Sequence, residues 1–238
     1  MTDTGRMRAF LPRWLGGLGG SKPAAWPLHN YPPFPLPHPG CGAALSLAQA
    51  EANLAAFTTT LAGRQLALRD WLAQHHGPDA SQLAPVDYAT ALQHWAREHW
   101  ARLPAFARLP AHAPWPDGGM TGHFIVNSLL ADLAASLGEA IRRGQPAWRW
   151  GLNLDAADLA DGMATARRVV LLADLAEPTP DTAEAVLDPA APVFAAHRFP
   201  ESVDFRLLDS WAEMVRGALA AGGLRPAPAA ADPNYGQP

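Results

Sequence analysis

Residues 122–143 read GHFIVNSLLADLAASLGEAIRR, and this stretch decides the fold class. Its large apolar side chains recur at intervals of three and four residues, which is the spacing of one face of an α-helix. The side chains on that face are Val126, Leu130, Leu133, Leu137 and Ile141. The pair Arg142-Arg143 suits the negative end of a helix dipole, and Gly144 can end the helix. The stretch therefore predicts a long helix with one face on a core.

Polar side chains take the opposite face of this helix, and the spacing predicts that they face solvent. They are Ser128, Asp132, Ser136, Glu139 and Arg143. A solvated polar face is available to a partner, so Ser128, Asp132 and Glu139 are candidate contact residues.

A long helix is predicted upstream, over residues 47–75. Ser46 and Gln49 form a capping-box pattern at its start, because each side chain can bond to the backbone N–H of the other residue. Gly77-Pro78 follows as a stop signal. Apolar residues at helical spacing run through the segment and predict one buried face.

Two further helices carry the same kind of signal. One is predicted over residues 88–103, with Asp87 as its cap. The last is predicted over residues 205–221, capped near Asp204 or Ser202.

The hydrophobic period changes from helical to alternating after the helix at 122–143. The alternating apolar residues are Trp148, Trp150, Leu152 and Leu154. A period of two predicts a strand with one buried face, and the apolar run at 169–172 is its predicted partner. A ribbon of two strands is only marginally stable alone, so we expect it to pack on the helices. The sequence thus predicts a mainly α (α+β) fold, with a bundle of about four main helices and a small antiparallel two-stranded ribbon packed on it.

Glycine-rich and proline-rich segments divide the chain into three predicted parts. Residues 1–22 are expected to be a flexible N-terminal segment, and residues 23–224 a single helical domain. Residues 225–238 hold few apolar anchors and are expected to be a disordered tail.

The proline-rich segment at 23–42 is predicted to be extended, because proline fixes φ and removes backbone donors. Trp26, Tyr31 and Phe34 lie within it and suggest a strap that packs against the helical domain. The alternative use of such a segment is as a ligand for a proline-reading module of another protein.

Composition excludes several classes of protein. The chain has 238 residues, of which 49% are hydrophobic, and a formal net charge of −4. It therefore has material for a core and no overall basic field that would attract nucleic acid or an anionic membrane. A single cysteine excludes an internal disulfide, and no apolar run has the length of a signal peptide core or a membrane span. We expect a cytoplasmic protein that binds neither nucleic acid nor membrane.

The histidines do not form a recognisable metal motif. His94 and His99 are five residues apart, whereas a zincin motif needs two histidines four apart on one helix face. His94 and Glu98 do share a face, and this spacing more often gives a local polar contact. Neither a metal, nor a cofactor, nor a catalytic residue is predicted. The alternative is a helical enzyme with a non-standard site, which requires His94, Glu98, His123 and Asn127 to converge.

A charged connector joins the two predicted strands. Asp155, Asp158 and Asp161 are spaced by three residues, and the glycine and glutamate positions of a calcium loop are missing. Asp155 as a helix cap, with Asp158 in the first turn, explains two of them. Arg167 and Arg168 can anchor an acidic partner or pair with these aspartates.

The predicted partner-binding residues combine this connector, the polar helix face and the proline-broken loop at 104–118. They are Asp132, Glu139, Asp155, Asp158, Asp161, Arg167, Arg168 and Trp115.

Three segments within residues 127–175 carry a resemblance to a known group of proteins. They are NSLLADLAASLGEAIRR (127–143), GQPAWRWGLNLD (144–155) and RRVVLLADL (167–175). A helix that ends in L-G-E, a proline, a tryptophan-bearing strand and a second strand resemble immunity-type proteins of bacterial polymorphic toxin and type VI secretion loci. The resemblance implies an inhibitor that blocks a cognate toxin by covering its active site, without chemistry of its own.

The hypothesis that follows is a protein-binding inhibitor whose partner is a cognate toxin or effector. The chain lacks the usual nucleotide-binding, hydrolase and thiol motifs, and it carries nine tryptophans, a residue type that is enriched at interface hot spots. An adaptor or chaperone of a secretion machine, which would use the proline-rich strap as its contact, is the remaining alternative.

Overall fold

The computed structural model describes residues 25–40, 42–104, 120–163, 165–178 and 184–226. The predicted N-terminal segment at 1–22, most of the predicted tail and Trp115 lie outside these residues. The side chain of His123 is also outside the described part.

The described chain is mainly helical and contains a small antiparallel sheet. Its helices are α1 (Leu47–Gln74), α2 (Pro85–His99), α3 (Ile125–Gly144), α4 (Ala156–Ala160), α5 (Ala190–Arg198), α6 (Val203–Leu207) and α7 (Ser210–Ala220). Its strands are β1 (Arg149–Leu152), β2 (Val169–Asp174) and β3 (Glu184–Leu187). Short 3₁₀ turns cover Gly42–Ala44, Trp100–Arg102 and Gly122–Phe124.

The predicted capping box at the start of α1 is confirmed. The Ser46 hydroxyl accepts from the Gln49 backbone N–H at 3.3 Å, and the Gln49 side chain accepts from the Ser46 N–H at 2.8 Å. These bonds satisfy donors that a helix start leaves without internal partners.

Helix α2 begins three residues earlier than predicted. Pro85 occupies its first turn, where a missing N–H costs no hydrogen bond, and Ala84 is the residue before it. Asp87 lies inside the first turn and was wrongly predicted to be the cap.

The prediction of one last helix over 205–221 is wrong, because the segment is split into α6 and α7 at Leu208 and Asp209. The fully buried amide of Gln93 holds this break. Its Nε2 donates to the Leu208 carbonyl at 2.8 Å, and its Oε1 accepts from the Trp211 N–H at 2.9 Å. Backbone groups that a continuous helix would satisfy internally therefore find a partner on α2. Ser202 caps α6 through the Phe205 N–H.

The sheet has three strands in the order β1–β2–β3, so the predicted two-stranded ribbon was one strand short. Strand β3 pairs antiparallel with β2, with Leu187 opposite Leu171. The strand has only four residues, EAVL, which are at most partly buried and show no clear alternation of apolar and polar side chains. Helix α5 was not predicted, and it contains Pro192 at its third position. In the first turn of a helix, however, proline removes no hydrogen bond.

Most of the polar face predicted for α3 does not face solvent. Ser128, Asp132 and Ser136 are all buried, because α3 is central and is covered on that side as well. Ser136 exchanges a hydrogen bond of 2.8 Å with the Tyr88 hydroxyl of α2. Ser128 accepts from the Phe34 N–H at 2.7 Å. Of the three predicted contact residues on this face, only Glu139 retains partial exposure.

A buried ion pair fixes α1, α3 and the proline-rich segment to one another. The Arg64 guanidinium donates through Nε to Asp132 Oδ1 at 2.9 Å and through Nη2 to Oδ2. The Tyr31 hydroxyl donates to the same carboxylate at 2.6 Å. Arg64 Nη1 also donates to the carbonyls of Pro32 and Pro33, at 2.8 and 2.9 Å. Burial raises the pKa of Asp132, and the bonds from Arg64 and Tyr31 partly offset that rise, so the net pKa is about 6 and the carboxylate is ionised at neutral pH.

The rest of the proline-rich segment also packs on the helices. Leu28 and Tyr31 are buried, and Trp26 stacks on Trp95 with ring centroids 5.8 Å apart. At its other end, the His38 backbone exchanges two hydrogen bonds of 2.9 Å with the side-chain amide of Asn53. Residues 25–40 thus lie along α1 and α3 and direct their aromatic rings inward, and we call them the strap.

A second buried ionisable group lies in α5. The ring of His197 is 8% exposed and meets Trp100 edge-on, with centroids 5.5 Å apart. Burial lowers the pKa of His197 to about 4, because the apolar surroundings disfavour the imidazolium. His197 is therefore neutral in the folded protein at pH 7.

Replacing Asp132 by Asn should strongly destabilise the protein, because the guanidinium of Arg64 then stays buried without its counter-charge. We expect the free energy of unfolding, measured in urea, to fall by about 3–5 kcal/mol. Asp70→Asn is the matched control, because it removes an exposed ion pair, Arg69–Asp70, on α1, the helix that carries Arg64. That control should cost less than about 1 kcal/mol. Equal effects of the two substitutions would contradict the role of the buried pair.

Acidification should lower the stability of the protein, because His197 is neutral in the folded state. In the unfolded chain it binds a proton below pH 6.5, and in the folded chain only near pH 4. Stability therefore falls as the pH drops from 6.5 towards 4, by up to about 1.4 kcal/mol per pH unit. His197→Phe keeps a ring against Trp100 and cannot titrate. As the pH falls from 6.5 to 4, the unfolding free energy of wild type should decrease relative to that of His197→Phe. A difference between the two proteins that does not change with pH would refute the effect.

Candidate binding pocket

A cavity of about 110 Å³, partly open to solvent, lies beneath the second half of the strap. The strap, α1, α3, β1 and the chain around the start of β2 and the end of β3 enclose it. Its lining is Phe34, Leu36, Gly40, Leu45, Asn53, Phe57, Met120, Ala131, Ala134, Ala135, Trp150, Arg167, Arg168, Val169, Asp188, Pro189 and Ala190.

Small side chains on α3 create the space. Ala131, Ala134 and Ala135 are spaced by three and four residues, so they share one helix face. Each ends at Cβ, so a space is left between this helix face and the aromatic rings of Phe34 and Phe57. The pocket therefore has a floor of methyl groups and walls of aromatic rings.

Trp150 forms one aromatic wall and is held from two sides. Its ring meets Phe57 edge-on at 4.7 Å between centroids, and its Nε1 donates to Glu139 Oε1 at 2.7 Å. The ring also crosses α3 at Gly138, where a Cβ atom would lie 2.3 Å from two ring carbons. Gly138 and Glu139 of the L-G-E motif thus both have a structural role. Gly138 leaves room for the Trp150 ring, and Glu139 accepts a hydrogen bond from its indole N–H.

The polar part of the pocket is a wall of two arginines and an aspartate. Arg168 Nη1 lies 3.0 Å from Asp188 Oδ2, and both side chains are largely buried. Asp188 Oδ1 also accepts from the Ala190 N–H at 2.9 Å. The Arg167 guanidinium donates to the Leu45 carbonyl. The wall holds one carboxylate and two guanidinium groups, so it carries a net positive charge.

The aspartates of the connector are engaged locally. Asp155 caps α4 by accepting from the Asp158 N–H at 3.0 Å, as predicted. Asp158 accepts from Asn153 Nδ2 at 2.6 Å. Asp161 is exposed at the end of α4. The arginine pair finds its partners at Asp188 and Leu45, outside the connector.

The pocket brings together only part of the predicted binding set. Arg167 and Arg168 line it, and Glu139 supports it through Trp150. Asp132 is a buried structural anion, and Trp115 lies outside the described residues. Asp188 and Asn53 were missed, because single polar residues next to proline or inside a helix give no sequence signal.

The residues of the alternative enzyme site occupy different environments. The side chains of His94 and Glu98 are 58% and 75% exposed on α2, whereas Asn127 is 1% exposed inside the core on α3. His94 Nε2 lies 3.7 Å from Asp209 Oδ1. Among the described residues there is no group of three or more His, Cys, Asp or Glu that could hold a metal ion. None of the described helices has the length and apolar character to cross a membrane.

Gly138→Ala should destabilise the protein through the clash of the new Cβ with the Trp150 ring. We expect a loss of about 1–3 kcal/mol in the free energy of unfolding. Gly63→Ala is the matched control, because that glycine lies in α1 and an added Cβ meets nothing within 4 Å. The control should stabilise the protein by up to about 1 kcal/mol, since alanine favours helix. A neutral Gly138→Ala would show that the tryptophan can move away freely.

Comparisons with protein-family models, with curated proteins and with solved structures found no match to this chain.

Proposed function

We propose that this chain is a binding protein that captures another protein through the strap-covered pocket. The observation that supports it is a partly open cavity of about 110 Å³, walled by aromatic rings and edged by charge. Binding sites are typically concave and mostly apolar, with a few placed polar groups. An apolar cavity of about 150 Å³ accepts benzene, so the space here suits a single large apolar side chain.

The ionisable groups of the pocket favour recognition over acid–base catalysis. Arginine stays protonated at all physiological pH values, so Arg167 and Arg168 can bind anions and cannot exchange protons with a substrate. The carboxylate of Asp188 is shielded by Arg168 and by the Ala190 N–H. A group engaged in this way is poorly placed to act as a general base.

On the resemblance carried by residues 127–175, we propose that the partner is a cognate toxin or effector. The chain would inhibit it in the cytoplasm by seating one apolar side chain in the pocket and covering the active site with the surrounding surface. An anchor residue in a desolvated pocket, ringed by weaker contacts, is the usual energetic pattern of a protein interface.

The test is co-expression with the product of an adjacent toxin-like gene. Wild-type protein should restore growth and copurify as a complex. Ala131→Leu places a larger side chain in the pocket and should abolish both, while the free energy of unfolding stays within about 1 kcal/mol of wild type because the cavity has room.

Ala55→Leu is the matched control, because it adds the same side chain at an exposed alanine of α1. It should bind as wild type does. Failure of the wild-type protein to rescue growth or form a complex would remove the proposed function. Unchanged binding by Ala131→Leu would remove the pocket as the contact.

A further inference from the structure

We propose that the pocket binds the C-terminal residue of the partner, with its apolar side chain among the aromatic rings and its carboxylate on Arg167. This inference deepens the proposed function and rests on it. It commits to one ligand chemistry, an apolar group and a carboxylate on the same carbon.

The backbone holds Arg167 in an unusual conformation at the pocket. Its φ of 55° lies in the left-handed region, which costs free energy for a residue with a Cβ. Two hydrogen bonds maintain it, from the Arg167 N–H to the Asn153 carbonyl at 2.7 Å and from the Asn153 N–H to the Arg168 carbonyl at 3.0 Å. Strained residues of this kind cluster at ligand sites, because the strain fixes a side chain in its binding direction.

Arg167 retains donors for a ligand. Within the described residues, its guanidinium makes one hydrogen bond, to the Leu45 carbonyl. A guanidinium has five N–H donors in a fork that matches the two oxygens of a carboxylate. Arg167 can therefore take a bidentate carboxylate and keep its bond to Leu45.

The charges around Arg167 favour an anion. Arg168 and Asp188 form a close pair, which leaves the charge of Arg167 as the excess on this wall. Leu45 lies two residues before the start of α1, so the partial positive charge at that helix end adds to the field. The amide of Asn53, the other polar group of the lining, is engaged by the strap backbone and does not compete.

The apolar part of the lining lies next to this cation. Phe34, Phe57 and Trp150 line the same cavity as Arg167, and the alanines of α3 form its floor. A ligand that fills about 110 Å³ with an aromatic or branched side chain thus places a carboxylate bonded to the same carbon near the guanidinium. A chain end supplies both groups at once, whereas an internal residue supplies only the side chain.

The experiment uses short peptides as probes, because it does not require the partner to be known. An acetylated Gly-Gly-Phe peptide with a free carboxylate is compared with its C-terminal amide by isothermal titration calorimetry on the full chain. The free acid should bind, and the amide should bind at least about tenfold more weakly, since a charge-assisted bond is lost. 3-Phenylpropionate is the third probe and tests a free acid without a peptide chain.

Arg167→Gln should reduce binding of the free acid at least about tenfold and leave the amide unchanged. Arg69→Gln, which removes an exposed arginine of α1, is the matched control and should bind both peptides as wild type does. Circular dichroism of Arg167→Gln must show wild-type helix content. If that variant does not fold, Arg167→Lys keeps the charge without the fork and should give intermediate affinity.

Three results of the peptide experiments would overturn the inference. They are equal binding of acid and amide, an unaffected Arg167→Gln, and tighter binding of 3-phenylpropionate than of the peptide, which would indicate a small free acid as the ligand. A toxin complex that persists after removal of the toxin's last residue, but is lost in Ala131→Leu, would reject the chain-end ligand and retain the proposed function. Peptide binding without any toxin complex would support the pocket chemistry and reject the inhibitor.

Discussion

The buried ion pair between Arg64 and Asp132 is the constraint on which the rest of the structure depends. Neither charge could remain in the interior alone, because an unpaired buried charge costs several kcal/mol. The pair is complete only when the strap is in place, since Tyr31 supplies a third donor to Asp132 and the carbonyls of Pro32 and Pro33 accept from Arg64. Prolines suit this position, because a segment that gives carbonyls and needs few N–H partners can cross a helix surface without a strand beside it.

The same constraint shapes the pocket. The two residues after the carbonyls that Arg64 binds are Phe34 and Pro35, and Phe34 is a wall of the cavity. Its N–H is tied to Ser128 of α3 and its ring receives the Arg64 guanidinium at 5.3 Å. The contacts of Phe34 with Ser128 and Arg64 therefore hold the strap over the alanine face of α3. The small residues beneath it leave a space that the strap cannot enter, because its backbone is fixed at Ser128 and again at Asn53.

Sequence reasoning located the long helices well, and it failed where a side chain's partner comes from elsewhere in the chain. The capping box of α1 is local, so two residues sufficed to predict it. Asp132 was placed at the surface because its helical spacing is that of a polar face, whereas its exposure is set by Arg64, 68 residues away. Gln93 likewise breaks the last helix through contacts that no local pattern contains. The pocket itself is a space between distant segments, and only its arginine pair stood out in the sequence.

Three segments, at residues 127–143, 144–155 and 167–175, supply much of the pocket lining. Ala131, Ala134 and Ala135 come from the first of them, Trp150 from the second, and Arg167 to Val169 from the third. The glycine and glutamate of the L-G-E motif position Trp150, so the motif helps to form the aromatic wall of the pocket. A helix and two strands could pack together in many ways without a cavity. Here each segment contributes one kind of surface, namely methyl floor, aromatic wall or cationic edge, and the three meet at one place. This division of roles is what a site for an amphipathic ligand requires, because apolar area supplies affinity and a single placed charge supplies orientation.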